Sequence, residues 1–178
     1  MKRQTSFFFF AFAILTLSAC GGESNSTSAH IAPEIRASAP EIVLPQLENG
    51  RVGSERKLSA LRGKPIVLNF WATWCGPCKT EFPVLDEAFR KYRTTNDLQV
   101  IAVNVLDTAP PETIQQFLAD TGVIFPVWLD ANDNANRLYG IQALPTTVFI
   151  DRNGVIQQIR IGGPLTREYI EQQLTKIF

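Results

Sequence analysis

Residues Ile66 to Pro83 read IVLNFWATWCGPCKTEFP. The first part, Ile66 to Ala72, is a nearly continuous apolar run, the pattern of a strand buried on both faces. The last part changes period. Cys78, Phe82, Leu85, Ala88, Phe89 and Tyr92 recur at helical spacing and form one stripe. Glu81 falls inside that stripe, whereas Lys79, Thr80, Asp86, Glu87 and Arg90 fall outside it. Pro77 suits the first turn of this helix, where no N–H is needed, and Pro83 is expected to kink it. Two cysteines, Cys75 and Cys78, thus sit where a buried strand hands over to a helix.

The flanking sequence repeats this alternation. LQVIAVNV, Leu98 to Val105, reads as a second buried strand, and Pro111 opens a helix to about Asp120. FPVWLD is a short strand, and NDNANRLYG is a helix closed by Gly140. TTVFIDRNGVIQQIRI reads as a hairpin turning at Asn153-Gly154. Thr166 to Phe178 is a terminal helix with Ile170, Leu174 and Ile177 on one face. Ile42 to Arg62 reads as a leading hairpin. The class is α/β: a central mixed sheet flanked by helices, with an antiparallel hairpin at each end. DANDNA begins like a calcium loop, but Ala135 and Ile141 stand where the glycine and the bidentate Glu are required. Asp130 is better read as a helix cap.

Three readings compete for Cys75 and Cys78. A zinc half-site needs two more N or S ligands, and the rest of the chain offers one histidine, His30, and one cysteine, Cys20. Inert packing is a poor fate for a close pair wherever disulfide chemistry is available, as it is to a chain with the export signal described below. The redox reading uses the geometry. Free N–H groups at a helix start stabilise a thiolate at the first cysteine. The second, one turn on, can then resolve a mixed disulfide.

The N-terminus supplies the compartment. Lys2 and Arg3 precede an apolar run from Phe7 to Leu17, interrupted only by Thr16. That run is too short for a membrane span of about 20 residues and matches a secretory signal. LSAC, Leu17 to Cys20, resembles the bacterial lipoprotein signal, which implies that Cys20 is lipidated and becomes the first mature residue. Gly21 in place of Asp would favour the outer membrane in a diderm cell. One acyl chain binds a membrane only marginally, but two or more anchor stably. Removing residues 1–19 leaves 15 basic against 17 acidic side chains, about −2 in all. With no basic stripe, nucleic acid is not an expected partner. From Gly21 to Pro40 the chain is small, polar and Pro-containing, a tether reaching roughly 25 Å. His30 lies on it and reads as solvated. The expected division is therefore 1–19 signal, 20–40 lipidated cysteine and tether, and 41–178 folded domain.

WCGPC is the thioredoxin active-site motif, and NFWATWCGPCKTEFP resembles the extracytoplasmic TlpA/ResA-like branch of that family. YGIQALPTTVFIDRNG, Tyr139 to Gly154, resembles the second signature of the branch. The similarity covers roughly Ile42 to Phe178, with a strand–helix insert around Ala102–Gly122 that plain thioredoxins lack. It implies a thioredoxin-like fold and a thiol–disulfide oxidoreductase, most simply a reductase, with no cofactor and no metal. Cys75 would attack, Cys78 would resolve, and the two would form a disulfide. Pro145 would be cis and face the pair. Trp74, Gly76, Pro77, Leu144 and Pro145 are the substrate-binding candidates. Where thioredoxin has a buried Asp beneath its cysteines, this chain has Asn69, so Glu81 is the candidate proton acceptor, as in the branch it resembles. The implied substrate is a protein disulfide, either the heme-binding pair of an apocytochrome c or another envelope protein. The implied electron donor is a transmembrane protein of the CcdA or DsbD type. The alternatives fit less well. A peroxiredoxin needs P-x-x-x-T/S-x-x-C, and Leu68 and Ala72 occupy those places. A Sco-like copper chaperone needs C-x-x-x-C and a histidine in the domain. A lipoprotein with a merely structural disulfide would differ in redox potential.

Overall fold

The computed structural model describes residues 32–178. The expected signal over residues 1–19, Cys20, His30 and most of the expected tether lie outside the described residues. Seven strands form one sheet: β1 Val43–Glu48, β2 Arg51–Lys57, β3 Ile66–Trp71, β4 Gln99–Asn104, β5 Val127–Leu129, β6 Thr146–Ile150 and β7 Ile156–Ile161. Their order is β2-β1-β5-β4-β3-β6-β7. The helices are α1 Gly76–Tyr92, α2 Pro111–Thr121, α3 Asn134–Tyr139 and α4 Arg167–Ile177. β3, β4 and β5 run parallel, and β1, β2, β6 and β7 pair antiparallel. No described helix is long and apolar enough to cross a membrane.

β3 is buried at every position, and its alternation divides the core. Val67 and Trp71 point to one side, with Phe82, Leu85, Ile170 and Leu174 of α1 and α4. Ile66, Leu68 and Phe70 point to the other, with Trp128, Tyr139 and Ile150. The period of two places Asn69 on the α1 side.

Strand direction decides what meets the cysteines. β3 runs towards them, and β4 lies parallel with Trp71 opposite Asn104. β6 is antiparallel with Phe70 opposite Thr146, and β7 sets Ile161 opposite Thr146. The loops after Asn104, before Thr146 and after Ile161 therefore all emerge at the end of the sheet where α1 begins.

Four local expectations are corrected. Asp86 is buried, 6 % exposed, because its carboxylate accepts the Ile124 N–H at 2.8 Å and pairs with Arg90. Pairing of this kind is what lets a charge sit against a core. The hairpin turn is longer than Asn-Gly alone: only Gly154 has a positive φ, and Asp151 accepts from the Asn153 and Val155 N–H groups. Asp130 does satisfy the start of α3, accepting from Asn134 and Asn136, but from three residues before the cap position, Asp133. Finally, the last part of the expected tether is packed on the domain. Arg36 N–H donates to Ile156, Ile156 N–H to Ala37 and Ala39 N–H to Gly154. These backbone bonds tie the segment to the end of the sheet away from the cysteines, and Tyr139 hydroxyl adds a bond to Pro40.

Candidate active site

Cys75 is the N-cap of α1, with extended backbone (φ −83°, ψ 98°), and its sulfur accepts the Cys78 N–H at 3.2 Å. A helix start exposes N–H groups without partners, so a sulfur here meets donors and the positive end of the helix dipole. Pro77 falls in the first turn, where its missing N–H costs nothing. Cys75 and Cys78 are joined as a disulfide, their Cα atoms 5.3 Å apart. Cys75 is 4 % exposed and Cys78 fully buried, so the first sulfur is the one nearer solvent. Gly76 borders open space, and Trp74 is 63 % exposed with its indole N–H donating to the Leu106 carbonyl at 3.0 Å.

Glu81 lies three residues after Cys78, on the same helix face, and is fully buried. α1 continues through Pro83 to Tyr92 without moving Glu81 off the core. Asn69 Nδ2 donates to Glu81 Oε1 at 2.7 Å and to Thr147 Oγ1 at 2.9 Å, and the Leu165 N–H donates to Oε2 at 3.3 Å. Burial pushes the Glu81 carboxyl up from 4.5 to about 7, against the opposing pull of the Asn69 and Leu165 hydrogen bonds. Desolvation wins because, among the described residues, no cation pairs with the group. Asn69 is thus the partner of the acid, supplied from β3 by the strand period.

The Leu144–Pro145 bond is cis, and so is Gly163–Pro164, which the sequence reading did not foresee. Leu144 packs against the apolar cluster that holds Cys75 and Cys78. Among the described residues, no hydrogen bond involves the Leu144 backbone N–H or C=O. The Pro145 carbonyl accepts from Gly162. Gly163 lies where a Cβ would meet Pro145 Cγ at 2.8 Å and Glu81 Oε2 at 2.9 Å. Only a residue without a side chain fits between ring and carboxyl. Gly163→Ala should therefore force one of them aside and destabilise the protein by about 1–3 kcal/mol, the scale of overpacking. Urea unfolding of the oxidised protein checks it, and an unchanged midpoint would refute the tight fit.

A second group was missed. Asp107 accepts four hydrogen bonds: from the N–H and hydroxyl of Thr73, from Asn104 and from the Ala109 N–H. Burial pushes its carboxyl up, but these bonds outweigh it and hold the group below its ordinary value. The result is a clamp between the loop after β4 and the turn leading into Cys75. Asp107 lies 34 residues from Thr73, too far for any local pattern to reveal. Among the described residues, no group of three or more His, Cys, Asp or Glu is placed to hold a metal ion.

A cysteine pair bonded across the first turn of a helix, at the parallel-strand end of this sheet, defines a thiol–disulfide oxidoreductase on a thioredoxin-like fold. The chain belongs to the AhpC/TSA family, whose model matches residues 35–159. It is similar to the thiol-disulfide oxidoreductase ResA of Geobacillus thermodenitrificans, 36% identical over 180 residues and 99% of each chain. ResA of Oceanobacillus iheyensis is 37% identical over 78% of this chain and 70% of its own. Among solved structures, a Chlorobium tepidum protein assigned as a thiol:disulfide interchange protein DsbE superposes with a TM-score of 0.71 at 34% identity. That match covers 81% of this chain and 97% of the other.

Proposed function

We propose that the protein is an extracytoplasmic, membrane-tethered disulfide reductase. Cys75 thiolate attacks one sulfur of a substrate disulfide; that S–S bond breaks, a mixed disulfide forms, and the other substrate sulfur leaves and takes a proton. Cys78 then passes its proton to Glu81 and attacks the Cys75 sulfur. The second substrate thiol leaves, two electrons have reached the substrate, and the Cys75–Cys78 disulfide closes. A transmembrane donor of the CcdA or DsbD type would re-reduce it. Trp74, Gly76, Pro77, Leu144 and cis-Pro145 would receive the substrate chain, with the unpaired Leu144 backbone adding it as an extended segment.

The observation that carries this reading is the buried Glu81 carboxyl held by Asn69 and Leu165 one turn behind Cys78. A structural disulfide needs no proton acceptor of neutral affinity behind it. The deciding experiment is substrate trapping. A Cys78→Ser protein in envelopes should accumulate mixed disulfides through Cys75, and recovery of apocytochrome c or another envelope protein would name the substrate. A variant that traps nothing above the Cys75→Ser background would overturn the reductase reading.

Tethering rests on the LSAC signal, and residues 36–39, on the anchor side of the domain in sequence, pack at the end of the sheet away from the cysteines. Cys20→Ala should leave the protein unprocessed or free of the membrane fraction. Mature wild-type protein that is soluble and begins at another residue would refute lipidation.

A further inference from the structure

Few large apolar side chains are left exposed among the described residues, and two stand together beside Cys75. Trp74 is 63 % exposed and Leu106 is 49 % exposed. The Trp74 indole N–H donates to the Leu106 carbonyl at 3.0 Å, so the two residues are in contact. Leu106 also has a φ of +51°, in the left-handed region. Glycine enters that region freely and a leucine does so only against steric resistance. The backbone would therefore be better served by glycine, and about half of the leucine stays in solvent all the same.

This loop is held firmly. The Asp107 carboxylate ties it to Thr73 through both backbone and hydroxyl, and the Val105 N–H donates to the Trp71 carbonyl at 3.0 Å. A strained residue kept in place by its surroundings, with an exposed apolar side chain on a backbone bonded to the tryptophan that precedes Cys75, has the marks of a recognition element. A rigid indole beside it offers contact area at small entropic cost.

We propose that Trp74 and Leu106 form a docking platform for a large apolar side chain adjacent to the reacting cysteine of a protein substrate, with Leu106 as the specificity-determining residue. The inference rests on the proposal that Cys75 attacks substrate disulfides. Substrates would then be ranked by the residues flanking their cysteines, and the strain at Leu106 is retained for that selection.

The test uses two short peptides carrying a glutathione mixed disulfide, identical except for Leu or Ser beside the cysteine. Wild-type protein should show a kcat/KM about ten-fold higher for the Leu peptide, the discrimination scale of one apolar contact, with the difference in KM. Leu106→Gly should bring the ratio of the two peptides close to one. The ratio is the readout, so general slowing cancels. The variant's unfolding midpoint should equal or exceed wild type, because glycine fits the left-handed backbone. A wild-type ratio near one, or a ratio that survives Leu106→Gly, overturns the platform. Calorimetric binding of the same peptides to a Cys75→Ser, Cys78→Ser protein involves no exchange. Tighter binding of the Leu peptide, lost on adding Leu106→Gly, supports the platform even if the exchange reading fails; equal binding of both peptides overturns it.

Discussion

Cys75→Ser is expected to abolish disulfide reduction altogether, to the level of the buffer. Cys75 caps α1, its sulfur already accepts a helix N–H, and it is the less buried of the pair. Those features set backbone donors against the sulfur once the disulfide is reduced and leave it the one a substrate can reach. A serine hydroxyl in the same place has no comparable acidity and forms no disulfide. Cys78, fully buried, cannot replace it without opening the start of the helix. The assignment is checked with limiting iodoacetamide near pH 7 on the reduced protein. Mass spectrometry should find Cys75 modified first, and earlier modification of Cys78 would reverse the two roles.

Glu81→Gln is expected to slow reduction by roughly 10²-fold, the scale on which a general acid–base contributes. An amide has nearly the same shape and its oxygen can keep the short bond from Asn69, at the loss of the longer one from Leu165, but it cannot take the Cys78 proton. The pH dependence of the reaction should lose its inflection near neutrality. An unchanged rate and profile would reduce Glu81 to a buried structural acid.

The same group makes a thermodynamic prediction. Folding raises the Glu81 pKa from 4.5 to about 7, so between those values the native protein binds more protons than the unfolded chain. Stability from this group is therefore fully present below about pH 4.5 and is lost as pH rises through 7. A shift of this size corresponds to about 3 kcal/mol. Relative to wild type, oxidised Glu81→Gln should gain about that much stability between pH 4 and pH 8. Urea titrations at the two pH values measure it, and the other titrating groups cancel in the comparison. A constant difference would mean that burial does not perturb Glu81.

Much of the site was legible because it lies within one short stretch. The apolar run of β3 and the stripe of α1 bracket Cys75 and Cys78, and helical spacing alone put Glu81 on the buried face. Asp86 shows the limit of that method. Counted by angle it belongs to solvent, yet Ile124 and Arg90 give its carboxylate partners inside. Periodicity reports where a side chain points and carries no information on what waits there. Asn69 was visible as a departure from thioredoxin, but its role as hydrogen-bond partner of Glu81 depends on α1 lying across β3.

The sequence by itself determined the cysteine pair at a strand–helix junction, the alternation that makes a mixed α/β sheet, and the acid one turn behind Cys78. These depend on contacts between near neighbours, which spacing and residue type encode directly. Only the tertiary structure decided what surrounds them. The antiparallel run of β6 and β7 brings Pro145 and Gly163 against Glu81. The parallel register of β3 and β4 lets Asp107 clamp Thr73 and sets Leu106 beside Trp74. Such contacts join residues tens of positions apart, and they exist only after strand order and direction are chosen by burial of the whole sheet.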